Sequence, residues 1–85
     1  MMGRASVRVR AEMDYLDHAP PHFHAIYGEY EAKVDIATAT IVEGKLPRKA
    51  GGLVVEWAEA HREQLQRNWE LARAGEPLEA IEPLE

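Results

Sequence analysis

Asp17, His18, His22 and His24 are the residues of this chain best suited to chemistry. Three of the four histidines fall within seven residues, in the run Asp17-His18-Ala19-Pro20-Pro21-His22-Phe23-His24. A His-x-His on a strand projects both imidazoles to one face, about 7 Å apart. That spacing lets the rings converge on one divalent ion, with His18 or Asp17 as a third ligand from the loop. Zinc or another imidazole-loving metal fits such a set, and open coordination positions would activate water. The same residues also suit metal-free chemistry. An imidazole, with an ordinary pKa of about 6.5, serves as general acid or base. Arg8, Arg10 and Lys33 would then hold phosphate groups. Cleavage of RNA through its own 2′-OH needs only an acid, a base and a cation. The plain alternative is a solvated polar face of a sheet carrying no chemistry at all.

The elements around this run must set its geometry. Residues 5–13 read as a strand, with Val7, Val9, Ala11 and Met13 alternating with Arg8, Arg10 and Glu12. Pro20-Pro21 stiffens the loop that follows. A hairpin over 22–37 is the clearest element, because Gly28-Glu29 suits a type II′ turn. Its register pairs Tyr27 with Tyr30, Ala25 with Ala32 and Phe23 with Val34, and so gives a core face that also holds Ile36. His22 then stands opposite Asp35 and His24 opposite Lys33, on the other face. The period of the first strand places Arg8, Arg10 and Glu12 there too. Asp35 thereby joins His18, His22 and His24 as a catalytic candidate, as a ligand or as the group that orients one.

A short strand is expected at 39–43 and one long helix at 48–74. Over that span Ala50, Val54, Trp57, Ala58, His61, Leu65, Trp69 and Ala72 recur at spacings of three and four. Gly51-Gly52 costs roughly 2 kcal/mol in a helix interior, so the regular helix is expected to begin after it. Gly75 and Pro77 mark its stop. Residues 75–85 form an acidic tail in which Leu78, Ile81 and Leu84 are free to pack on the body or on a neighbour. His61 falls on the apolar stripe, across the sheet from His22 and His24, and reads as a core histidine. Trp57 and Trp69 read as core or interface anchors.

Composition sets the limits. With 85 residues the chain is one domain, 1–85, which buries roughly 60–65% of its unfolded surface. That leaves room for a surface groove, or for a site completed by a partner chain, but not for a deep enclosed one. The apolar share of 46% and charged share of 29% are those of an ordinary globular domain. The lack of cysteine excludes disulfides and thiolate metal sites. Nothing resembles a signal peptide, and no apolar run approaches the ~20 residues of a membrane span. The expected address is the cytoplasm, with no membrane partner. A net charge of -5 disfavours nonspecific nucleic-acid binding. The charge is uneven, however: Arg4, Arg8 and Arg10 lie at the start, and Glu76, Glu79, Glu82 and Glu85 at the end.

Several motifs in order resemble a small bacterial domain family of unknown function. They are His18-Ala19-Pro20-Pro21-His22-Phe23-His24, Tyr27-Gly28-Glu29-Tyr30-Glu31-Ala32, the Gly-Lys-Leu-Pro-Arg run at 44–48, Glu-Trp-Ala-Glu-x-His at 56–61, Asn-Trp-Glu at 68–70 and Gly-Glu-Pro-Leu at 75–78. Two places depart from that pattern. Gly3-Arg4-Ala5-Ser6 replaces an aromatic-Gly-Ile run, and Gly51-Gly52 stands where bulkier residues are common. The resemblance implies a toxin-like half of a two-gene toxin–antitoxin pair, with a cognate antitoxin-like small protein as partner.

Together these readings give an α+β fold: a three- to four-stranded, mainly antiparallel sheet packed against one long C-terminal helix. A single helix leaves one sheet face open, which invites a homodimer. Three functions follow for the histidine segment. The leading one is a toxin-type protein acting on RNA by histidine acid/base chemistry. The others are a non-catalytic partner-binding module, using the helix and the Glu-rich tail, and a metal-dependent hydrolase.

Overall fold

The computed structural model describes residues 9–84. The chain lays down β1 (Arg10–Glu12), β2 (His22–Tyr27), β3 (Tyr30–Asp35) and β4 (Thr40–Gly44), followed by α1 (Arg48–Ala60) and α2 (Arg62–Arg73). The four strands form one antiparallel sheet in the order β1-β2-β3-β4, and the fold is α+β.

The β2–β3 hairpin has the expected register at every pair, from His22↔Asp35 through His24↔Lys33 to Tyr27↔Tyr30. Gly28 takes a φ of 58°, as the first central position of a type II′ turn requires. Period-2 alternation then buries Phe23, Ala25, Ala32, Val34 and Ile36 on one face. Strand β1 joins through Arg10↔Ile26, Ala11↔Ala25 and Glu12↔His24, which puts Arg10 and Glu12 on the His24 face. The part of the expected first strand before Val9, Arg8 included, lies outside the described residues. On β4, Ile41 opposes Val34 while Glu43 opposes Lys33, so Val42 is the extra residue of a bulge and is exposed. Gly44 has a φ of 72°, and a Cβ there would collide with the backbone carbonyl of Glu31.

The expectation of one long helix over 48–74 is corrected. Two helices meet at His61, which has φ -116° and ψ 24°. The break is local. The backbone N–H of His61 donates to the Trp57 carbonyl at 3.0 Å, and its ring Nδ1 reaches the same oxygen at 2.9 Å. A side chain inserted into the helical ladder in this way bends a helix. The apolar stripe nevertheless runs across the junction, because Val54, Ala58, Leu65 and Trp69 enter one core. Period alone therefore reads as a single helix. Helix α1 also begins at Arg48, ahead of Gly51-Gly52. A Cβ on Gly51 would sit 3.7 Å from Ile41 Cδ1, so packing against β4 outweighs the weak propensity of this turn.

Helix α2 reaches the end of the sheet where β2 begins. Arg62 Nε donates to the Ile36 carbonyl at 3.3 Å. The Trp69 ring lies against His22, and Leu16 N–H donates to the Ala72 carbonyl at 3.2 Å. Gly75, with φ 74°, closes the helix: its N–H bonds Ala72 O at 3.1 Å, and Glu76 N–H bonds Leu71 O at 2.9 Å. This is a Schellman stop.

The tail then returns over the helices. The buried Asn68 side chain donates to the Glu79 carbonyl and accepts its N–H, both at 2.9 Å. Trp57 Nε1–H donates to the Glu82 carbonyl at 2.9 Å, and Ile81 and Leu84 pack on the core. Between the tail, the helices and β1 lies a cavity of about 450 Å³, which keeps Ala11 accessible.

Candidate functional site

The loop over 13–21 folds back on the start of β2. Leu16 turns the chain with a φ of 58°, and the Ala19–Pro20 bond is cis. Asp17 and His22, five residues apart, are thereby brought face to face. His22 is only 5% exposed. Parity puts it on the sheet face away from the core. As the first residue of β2, however, it sits at the sheet end, where its ring centroid lies 5.0 Å from that of Trp69. The open surface expected around His22 is therefore closed by α2 on one side and by the loop on the other.

Both nitrogens of His22 are engaged. Nδ1 lies 2.8 Å from the Pro20 carbonyl oxygen and Nε2 2.9 Å from Asp17 Oδ2. A carbonyl oxygen only accepts, so Nδ1 carries a hydrogen and donates it. The other carboxylate oxygen, Asp17 Oδ1, accepts His18 N–H at 2.7 Å. That backbone donor is the main reason the Asp17 carboxyl is held below its ordinary value of 3.8. Desolvation opposes the shift, and the hydrogen bond and charge of His22 add to it.

His24 completes the cluster. Its ring centroid is 5.4 Å from that of His22, in an edge-on arrangement. One ligand atom from each of Asp17, His22 and His24 lies within 4.8 Å of the other two. The side chain of His24 is 24% exposed. Its Nε2 lies 3.5 Å from Asp14 Oδ2 and its Nδ1 3.3 Å from Glu31 Oε2. Among the described residues this is the one group of three His, Cys, Asp or Glu side chains with metal-ligand spacing.

The other residues singled out in the sequence fall elsewhere. His18 is exposed and contributes its backbone N–H, and its ring is not among the converging groups. Asp35 pairs with His22 in register, but its carboxylate accepts the N–H and Oγ1–H of Thr38 at 2.9 and 2.8 Å. It caps the β3–β4 turn. Lys33 stands opposite His24 on the same face. Arg10 is on that face too, paired with Glu12 at 3.2 Å. Arg8 lies outside the described residues. His61 packs on Trp57 at the helix junction, half-buried rather than core, and takes no part. Asp14 and Glu31, which flank His24, were not among the site candidates, although the hairpin register puts Glu31 on the His24 face. Glu31 could have been found as the diagonal neighbour of His24 across the hairpin. No local signal marks Asp14.

The chain belongs to the family described as a domain of unknown function, DUF4160, which matches residues 10–70. The match spans the histidine segment, the whole sheet and most of both helices. Comparisons with curated proteins and with solved structures return no match. Among the described residues no helix is long and apolar enough to cross a membrane.

Proposed function

We propose that this chain is the toxin-type member of a bacterial toxin–antitoxin pair, and that the face carrying His22 and His24 is its working site, acting on RNA by histidine acid/base chemistry. The convergence of Asp17, His22 and His24 within 4.8 Å carries the reading. Resemblance of the motifs to a toxin-like family supplies the biological setting. His22 is locked by two hydrogen bonds and positions the site. His24, partly exposed, meets the substrate, and Lys33 opposite it offers positive charge to a phosphate. The test is purified chain incubated with defined RNA, comparing wild type, His24→Ala and His61→Ala. Wild type and His61→Ala are expected to cleave, and His24→Ala to lose cleavage. Equal cleavage by all three removes the site, and none by any removes the reaction.

One observation favours a second reading, a partner-binding module. Tyr15 and Leu16 are 52% and 71% exposed, and Leu16 holds a left-handed backbone that costs a non-glycine residue roughly 1–2 kcal/mol. An exposed apolar pair on strained backbone beside the site suits contact with the antitoxin-like partner. That reading requires the complex to survive alanine at His22 and His24 and to weaken with Leu16→Ser.

A further inference from the structure

We infer that Asp17, His22 and His24 form a binding site for one divalent transition-metal ion of the zinc class. The site stands on geometry alone, and only its use on RNA rests on the function proposed above. The key contact is His22 Nε2 to Asp17 Oδ2 at 2.9 Å. Nδ1–H is given to the Pro20 carbonyl, so Nε2 is the nitrogen turned toward Asp17 Oδ2. In the metal-free chain a proton on Nε2 closes that contact, and His24 is met by Asp14 and Glu31. A metal ion would replace that proton and draw Asp17, His22 and His24 together.

The surroundings agree. Metal-bound imidazoles typically give their other N–H to a carbonyl or carboxylate, which fixes the ring and aims the free nitrogen. Pro20 does this for His22, and His18 N–H holds the far oxygen of Asp17 so that Oδ2 points inward. Ligands about 2.0–2.1 Å from one ion stand roughly 2.9 Å apart at right angles and about 3.4 Å apart in a tetrahedron. The Nε2–Oδ2 distance of 2.9 Å is within about 0.5 Å of the tetrahedral separation, and the ligand atoms of all three residues already lie within 4.8 Å of one another. The carboxylates of Asp14 and Glu31 beside His24 add negative charge that favours a divalent cation. Two imidazoles with one carboxylate suit zinc and its first-row neighbours, not the all-oxygen ions calcium and magnesium. Asp17 and His24 are each about a quarter exposed, so the remaining coordination positions face solvent. Three protein ligands with an open position are the arrangement of a catalytic zinc site rather than a structural one. An ion held there would supply an activated water at this face.

The test uses the full chain without a histidine tag, titrated with Zn²⁺ against a competing chelator. Trp69, in contact with His22, reports binding through its fluorescence, and metal analysis after dialysis gives the stoichiometry. One zinc per chain is expected, with no competition from millimolar Ca²⁺ or Mg²⁺. Asp17→Asn and His24→Gln, both at partly exposed positions, are expected to weaken binding at least ~100-fold while keeping the fold. His61→Ala is expected to bind as wild type. No saturable zinc binding, or equal affinity in Asp17→Asn, His24→Gln and wild type, overturns the site. Stoichiometric zinc with no RNA cleavage leaves the site standing and removes the RNA reaction. Cleavage that persists in chelator, with no zinc bound, does the reverse.

Discussion

His22 and His24 are two residues apart on one strand, yet their replacement should have very different consequences for folding. His22→Ala removes the ring that lies on Trp69 and the hydrogen bonds to Pro20 O and Asp17 Oδ2. At about 1 kcal/mol for each part-buried hydrogen bond and roughly 1–2 kcal/mol for the buried ring, the loss is about 3 kcal/mol. In a domain of this size about 4–8 °C of melting temperature goes with each kcal/mol, so a drop of at least ~12 °C is expected. His24→Ala removes loose contacts with exposed carboxylates and an edge-on contact with the His22 ring, worth about 1 kcal/mol. His22→Asn is an informative intermediate. Its amide N–H replaces Nδ1–H toward Pro20 and should recover about 1 kcal/mol, without restoring the nitrogen that faces Asp17. Urea unfolding followed by tryptophan fluorescence, with chelator present throughout, measures all three. If His22→Ala falls within ~1 kcal/mol of His24→Ala, His22 is not the locked anchor described here, and the burial of the site is wrong.

Three further outcomes are expected. Gly52→Ala should stabilise the chain by up to ~1 kcal/mol in the same urea assay, because a Cβ at Gly52 meets nothing within 4 Å. Asn68→Ala removes both bonds to the Glu79 backbone and should cost about 2–3 kcal/mol. It should also release the tail to limited proteolysis near Glu79, while the sheet amides keep their exchange protection. For pH, the Asp17 carboxyl is depressed in the folded state, mainly by His18 N–H. Its contribution is therefore fully present above its unfolded value of about 3.8 and is lost as pH falls through the lower folded value. In chelator, wild type should exceed Asp17→Asn in stability above pH 4 by a margin that shrinks on acidification, read from urea midpoints at each pH. A constant margin would remove the stated cause.

The hairpin was the most legible element, and for a definite reason. A two-residue turn beginning with Gly28 fixes register, and register fixes the face of every residue from His22 to Asp35. The stop at Gly75 was equally readable. The break at His61 was not, because no glycine or proline marks it and both helices bury the same stripe. It comes from a ring nitrogen competing for the Trp57 carbonyl, which periodicity does not record. The site was half legible. His22 and His24 followed from spacing, but the partner of His22 depended on Leu16 taking a left-handed turn, which leucine does not announce. The burial of His22 depended on where α2 passes, once the helix had broken. Asn68 read as an ordinary polar helix residue, and its grip on Glu79 required the tail to fold back.

The convergence of Asp17, His22 and His24 on one ion is most directly tested by X-ray absorption at the zinc edge of the loaded, untagged chain. Two imidazole nitrogens and one carboxylate oxygen at about 2.0–2.1 Å are expected, with the imidazole count falling to one in His24→Gln. An oxygen-only shell, or an imidazole count unchanged by that substitution, would contradict the account.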